Sequence, residues 1–170
     1  MDLAGYIRNV PDFPVPGIQF KDISPLLADP TAFREAVERL AEPFRDAGID
    51  RVAGIEARGF LFAAGVALEL GAGLVMVRKP GKLPATTVAM PYALEYGKDA
   101  VEVHEDAVQA GDRVLIVDDL VATGGTLRAA RLLMERLGAE VAGISLLIEL
   151  EELDGLGQLE GVTCHSVLRL

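Results

Sequence analysis

Two adjacent carboxylates, Asp118 and Asp119, stand where four apolar, mostly β-branched residues (Val114-Leu115-Ile116-Val117) give way to the small cluster Ala122-Thr123-Gly124-Gly125-Thr126. Such an apolar run reads as a parallel strand buried on both faces. Open α/β sheets bind ligands at the carboxyl ends of their strands, where both acids are expected to stand. Gly124 and Gly125 take away side chains that would hold a ligand off the main chain, and Thr123 and Thr126 add hydroxyl donors. A helix opening at about Thr126 contributes free N–H groups and partial positive charge. This combination suits capture of a phosphate monoester, with two acids nearby for ribose hydroxyls or a Mg2+-bridged polyphosphate. Neither Gly-x-x-x-x-Gly-Lys-Ser/Thr nor a strand-linked Gly-x-Gly-x-x-Gly occurs, which argues against P-loop and dinucleotide-binding folds. An ordinary strand–turn–helix connection capped by Asp and Thr is the alternative; the acids and the Thr-Gly-Gly-Thr cluster occurring together disfavour it.

The elements that position this cluster follow from periodicity. The helix after it runs to about Leu137, with Leu127, Ala130, Leu133 or Met134, and Leu137 on one face and Gly138 as the stop. Asp29-Pro30 is a cap followed by a first-turn proline, with Phe33, Val37, Leu40, Ala41 and Phe44 inward and Gly48 ending the helix. Val52–Ile55 is a short strand leading to Glu56-Ala57-Arg58-Gly59; a helix with Phe60, Ala63, Ala64, Ala67 and Leu68 inward then closes at Gly71. Leu74–Val77 is the next strand and ends in the basic run Arg78-Lys79-Pro80-Gly81-Lys82. Residues 92–96 and 101–104 alternate in polarity around a turn at Gly97-Lys98-Asp99, which reads as a hairpin arm projecting from the sheet. Val141–Ile148 is another central strand and Val162–Leu168 an edge strand. The proline-punctuated segment 12–25 reads as an irregular hood. The expected fold is a single α/β domain over 1–170, with a doubly wound, mainly parallel sheet flanked by helices, an antiparallel lid at about 88–105 and the hood at about 1–28.

With 170 residues and 51% apolar composition, the chain has material for a sizeable core. A net charge of −10 argues against a nucleic-acid partner, and no apolar run approaches a membrane span. Met1–Gly5 has no basic or apolar leader character, and the single Cys164 fits a reducing compartment, so a cytoplasmic location is expected. His104 and His165 are too far apart in sequence to suggest a metal pair, and Cys164 reads as packing.

The strand–Asp-Asp–Ala-Thr-Gly-Gly-Thr run resembles the phosphoribosyl pyrophosphate (PRPP) motif of the type I phosphoribosyltransferases. Arg78-Lys79-Pro80-Gly81-Lys82-Leu83-Pro84 and Leu94-Glu95-Tyr96-Gly97-Lys98 are similar to segments of that family's adenine-specific branch, in the same order over essentially the whole chain. The resemblance implies transfer of ribose 5-phosphate from PRPP to N9 of adenine, giving AMP and pyrophosphate, with Mg2+ held mainly by PRPP. It implies that Ala122–Thr126 hold the 5′-phosphate, that Asp118 and Asp119 hold the ribose hydroxyls or the metal's waters, and that Arg58, Arg78, Lys79 and Lys82 meet pyrophosphate, sometimes across a homodimer interface. It further implies that Gln19, Phe20 and Lys21 surround adenine, that Glu95 manages a purine proton beside Tyr96 in the lid, and that Arg58 shares the catalytic work. Lys21 stands where relatives often carry arginine, and Glu56-Ala57 replaces an acid–serine pair. Transfer to another base (a 6-oxopurine or orotate) and a PRPP-sensing regulator without catalysis stay open as alternatives; the lid and hood segments favour adenine.

Overall fold

The computed structural model describes residues 1–93 and 97–170. Among these described residues nine strands and four α-helices follow in chain order: β1 (Arg8–Pro11), β2 (Gln19–Asp22), α1 (Ser24–Ala28), α2 (Pro30–Ala41), β3 (Arg51–Ile55), α3 (Gly59–Leu70), β4 (Gly73–Val77), β5 (Thr87–Ala93), β6 (Lys98–His104), β7 (Arg113–Val121), α4 (Gly125–Arg136), β8 (Glu140–Glu149) and β9 (Cys164–Arg169). The central sheet has the order β4-β3-β7-β8-β9 and every pairing in it is parallel. Val52, Leu115, Val117 and Leu147 face α2 and α3, whereas Ala53, Val114, Ile116 and Leu146 face α4 and the β5–β6 hairpin. Two apolar layers thus explain why the central strands read as unbroken hydrophobic runs.

Helix α2 begins as its sequence dictates: the Asp29 carboxylate accepts from the Thr31 and Ala32 amides at 2.9 and 2.8 Å, with Pro30 at the first position. It ends at Ala41 rather than near Gly48, because Pro43 cannot continue the ladder and the chain tightens into a 3-10 turn over Glu42–Phe44. Its buried face is Ala32, Ala36, Leu40 and Ala41, with Phe33 and Val37 half-buried at its flanks. In α3 the buried face is Gly59, Phe62, Ala63, Val66 and Ala67, one position round from the expected set, and Leu68 is 85% exposed. The helix is apolar on nearly every side, so periodicity alone did not orient it.

Three other expectations change. The hood contains regular structure: β2 pairs antiparallel with β1, from Arg8 opposite Asp22 to Pro11 opposite Gln19. The arm is a hairpin whose inner face belongs to the core, with Val101 and Val103 buried and a bridge from Arg78 to Glu102 tying it to the end of β4. Strand β7 does not stop before the acids. Its pairing with β3 ends at Val117, but its pairing with β8 continues through Asp118 to Val121. The carboxylates therefore project from a strand held on one side, beside the gap left on the other.

Candidate active site

Around that gap the protein has three adjoining compartments. The first, about 150 Å3, is lined by Asp118, Leu120, Val121 and the main chain from Ala122 to Leu127. Gly124 caps α4 in a left-handed conformation (φ 83°), and a Cβ there would lie 2.1 Å from the Gly155 carbonyl oxygen. A Cβ on Gly155 would in turn lie 2.2 Å from the Ala122 oxygen. Two glycines therefore let the 154–155 turn press against the loop that lines this compartment at the start of α4. Gly125 is different: a Cβ there would sit at an ordinary 3.5 Å from the Tyr92 ring. Gly155 was invisible to motif reading; its only signal is a glycine beside Asp154 in an otherwise acidic stretch.

The second compartment, about 190 Å3, lies between the ends of β3, β4 and β7, and is lined by Glu56, Arg58, Lys79, Asp118, Asp119 and Thr126 among others. Asp119 is 6% exposed, and the Arg58 guanidinium lies 2.6 Å from its Oδ2. The N–H vectors do not align with that oxygen, so the contact is one of charge rather than a directed hydrogen bond. Asp118 Oδ1 accepts the Asp119 amide at 2.8 Å. Desolvation, then the adjacent Asp119 charge, push Asp118 well above the usual carboxylate range. Desolvation also raises Asp119, opposed by Arg58. Gly59, at the start of α3, permits this crowding: a Cβ there would lie 2.5 Å from Asp118 Oδ1 and 3.2 Å from the Val117 oxygen.

The cations divide. Lys79 and Arg58 line the second compartment, whereas Arg78 and Lys82 do not. Arg78 Nε and Lys82 Nζ instead donate to the two oxygens of Glu56, at 2.8 and 2.7 Å, and the Arg78 guanidinium stands 5.9 Å from the Phe60 ring centre. Burial pushes Glu56 up, but the hydrogen bonds from Lys82, Arg78 and the Lys79 main chain outweigh it and hold Glu56 below the ordinary carboxylate value.

The third compartment is the largest, about 570 Å3, and opens between the hood and the end of the sheet. Gln19, Phe20 and Lys21 of β2 form one wall; Leu120, Leu150, Leu153 and Leu170 supply apolar surface from distant segments. Arg58 crosses between compartments, donating to the Lys21 carbonyl at 3.0 Å while its guanidinium lies 4.9 Å from the Phe20 ring centre. Phe13 packs edge-on against Phe20 at 5.1 Å. Leu120, Leu150, Leu153 and Leu170 were not singled out by sequence reading, since isolated leucines at element ends carry no motif. Glu95 and Tyr96 lie outside the described residues.

The compartments share walls: Asp118 and Thr126 belong to the first and second, Leu120 and Ala122 to the first and third, and Arg58 to the second and third. A branched ligand can therefore place its centre at the acids and one arm in each compartment.

Residues 25–156 match the model of the phosphoribosyl transferase domain. Adenine phosphoribosyltransferase of Thermobifida fusca is 59% identical over 162 residues, 95% of this chain and 92% of that protein. The crystal structure of adenine phosphoribosyltransferase from Rhodothermus marinus superposes with a TM-score of 0.96 at 54% identity, covering 99% of this chain and 96% of that one. The Saccharomyces cerevisiae adenine phosphoribosyltransferase, complexed with an imino-altritol bisphosphate and adenine, gives a TM-score of 0.92 at 38% identity, covering 98% and 97%. With most of its length matched at this similarity, the chain belongs to the adenine phosphoribosyltransferase family of type I phosphoribosyltransferases.

Proposed function

We propose that the protein transfers ribose 5-phosphate from PRPP to N9 of adenine, forming AMP and pyrophosphate. The three compartments, which share Asp118, Thr126, Leu120, Ala122 and Arg58 as walls, carry this reading, because PRPP and adenine together form such a branched assembly. The 5′-phosphate sits on the amides of Ala122–Thr126, where unpaired helix-end donors and the helix dipole favour an anion. Asp118 and Asp119 take the ribose 2′- and 3′-hydroxyls. Phe20 and the leucine wall stack the purine, while main-chain groups of Gln19–Lys21 read its edge. Lys79 and Arg58 face the departing pyrophosphate and offset its charge. As the C1′–pyrophosphate bond breaks, positive charge develops at the anomeric carbon, as in glycoside cleavage. Here the protein aligns base and sugar and keeps water away. Glu95 handles the purine proton, with Tyr96 beside it in the lid at 88–105.

Mg2+ fits the donor set. Asp118 and Asp119 are hard oxygen ligands, and Asp119 Oδ2 is buried without a directed hydrogen bond. Among the described residues no group of three acidic, histidine or cysteine side chains could hold a metal alone; the ion of this proposal would be held mainly by PRPP. When bound, it supplies charge neutralisation at the pyrophosphate.

Arg78 and Lys82 adjoin an apolar face made by Leu61, Leu68, Leu74 and Met76 on α3 and the edge strand β4, each at least 45% exposed. A homodimer closed through this face would bury it and bring both cations near a second site. Sedimentation at micromolar concentration tests this, and a monomer that stays active removes the dimer from the account. No described helix is long and apolar enough to cross a membrane. The thiol Cys164 suits a reducing compartment, which supports work in the cytoplasm. The assay for the whole proposal is pyrophosphate release from PRPP and Mg2+ with adenine, hypoxanthine, guanine or orotate. Release with adenine alone is expected. Release only with another base would reassign specificity, and none with any base would favour a PRPP-binding regulator.

A further inference from the structure

Lys79 is the one basic-run cation that lines the second compartment, and its ammonium already has partners on the hairpin. It donates to the Tyr92 hydroxyl at 2.6 Å and to the Asp99 carboxylate, while the Tyr92 hydroxyl donates to the same Asp99 oxygen at 3.1 Å. The other Asp99 oxygen accepts the Ala100 amide at 2.8 Å. Tyr92 and Asp99 face each other across β5 and β6, one pair below Ala93 and Lys98, the last described pair of the hairpin. Burial lowers the Lys79 pKa and the hydrogen bonds to Asp99 and Tyr92 more than restore it, so the ammonium stays charged in this partly enclosed site.

We propose that Asp99, seconded by Tyr92, is a positioning residue that holds Lys79 in the empty site and takes it back when pyrophosphate leaves. The inference rests on the phosphoribosyl-transfer reading and deepens it. A monocarboxylate and a pyrophosphate compete for one ammonium, and the polyanion, with more charge and more acceptor oxygens, is the stronger partner. What Asp99 contributes to Lys79 when the site is empty is subtracted from what Lys79 contributes to pyrophosphate when it is filled. The pair therefore weakens product binding. Because Lys79 and Asp99 are each about one-third exposed, the effect is modest. Arg78 and Lys82 do not line the compartment, and both are paired with Glu56 rather than with the hairpin.

The test is product inhibition by pyrophosphate, measured against PRPP, in the wild-type protein and in Asp99→Asn, Asp99→Glu and Tyr92→Phe. Asp99→Asn keeps the shape and removes the charge. It is expected to tighten pyrophosphate inhibition about two- to fivefold, the range of a partly exposed ion pair, and to leave the KM for adenine unchanged. Asp99→Glu restores the wild-type value, and Tyr92→Phe shifts it in the same direction by less. Unchanged or weaker pyrophosphate inhibition in Asp99→Asn overturns the proposal, as does a matched loss of adenine and pyrophosphate binding, which a merely structural role would give. Should Asp99→Asn not fold, unchanged inhibition in Tyr92→Phe overturns it. A wild-type protein that releases no pyrophosphate from PRPP and adenine removes the parent reading, whereas an active wild type with an indifferent Asp99→Asn removes only this inference.

Discussion

The loop at the start of α4 and the cavity under the hood, which the proposed function assigns to opposite ends of the product, are built by opposite means. The loop is contiguous, from Val121 to Leu127, and its main chain is pinned by Gly155 so closely that neither Gly124 nor Gly155 has room for a methyl group. The cavity is assembled from the hood, the end of β7, the turn after β8 and the chain end at Leu170, with partly exposed leucines as much of its wall. A phosphate has fixed shape and charge and is best met by amides that cannot move. A planar base demands apolar slabs at the right separation, which side chains from many segments can supply. Errors in the loop should therefore be severe and local, and errors in the cavity graded.

The largest effect belongs to the acids that line the second compartment. Replacing both Asp118 and Asp119 with Asn is expected to cut kcat by about a hundredfold or more while circular dichroism stays native. Retained turnover would detach the loop from the chemistry. Asp118→Asn alone adds a stability readout. The Asp118 pKa is raised in the fold, so ionisation at neutral pH weakens the folded state relative to the protonated acid. The variant should therefore melt above the wild type, by a few degrees, near neutral pH. The advantage should shrink as pH falls through the raised pKa toward 3.8, where folded and unfolded carboxyls are both protonated. A variant that melts lower at pH 7 would show that the buried charge is compensated.

Next comes the loop frame. Gly124→Ala meets the Gly155 oxygen at 2.1 Å from a left-handed backbone and should cost about 1–3 kcal/mol of stability by thermal or denaturant unfolding, with AMP affinity falling alongside. Gly125→Ala has room and should stay within about threefold of wild type in AMP affinity, or roughly 0.6 kcal/mol. Equal damage from the two would mean the frame is not what matters. On the cavity side, Phe20→Ala should raise the KM for adenine about tenfold, the scale of one lost base–aromatic stack, with the KM for PRPP changing far less. Leu153→Ala, at a position 49% exposed, should raise it only about twofold with stability nearly unchanged. A tenfold effect there would make the cavity as exacting as the loop.

The same contrast explains what could be read from the chain alone. The Asp-Asp and Thr-Gly-Gly-Thr cluster was legible as a cavity lining because it consists of near-consecutive residues whose types dictate backbone geometry. The Asp29 cap, the parallel sheet and the helix after the cluster were legible for similar local reasons. The continuation of β7 through Asp118 and Asp119 was not, since only pairing with β8 keeps two adjacent acids in a strand. Nor were the partners of the basic run: Arg78 and Lys82 turn to Glu56 while Lys79 turns to Asp99, a division set by the bridge between Arg78 and Glu102. The hood hairpin was hidden by its prolines, and Leu150, Leu153 and Leu170 acquire meaning only where the fold brings them to Phe20.

The most direct test is a crystal structure of the protein with AMP. The phosphate is expected on the amides of Ala122–Thr126, the ribose hydroxyls on Asp118 and Asp119, and the adenine against Phe20 in the 570 Å3 cavity. A phosphate held instead among Arg78, Lys82 and Glu56, or a base lying outside the hood, would contradict the account.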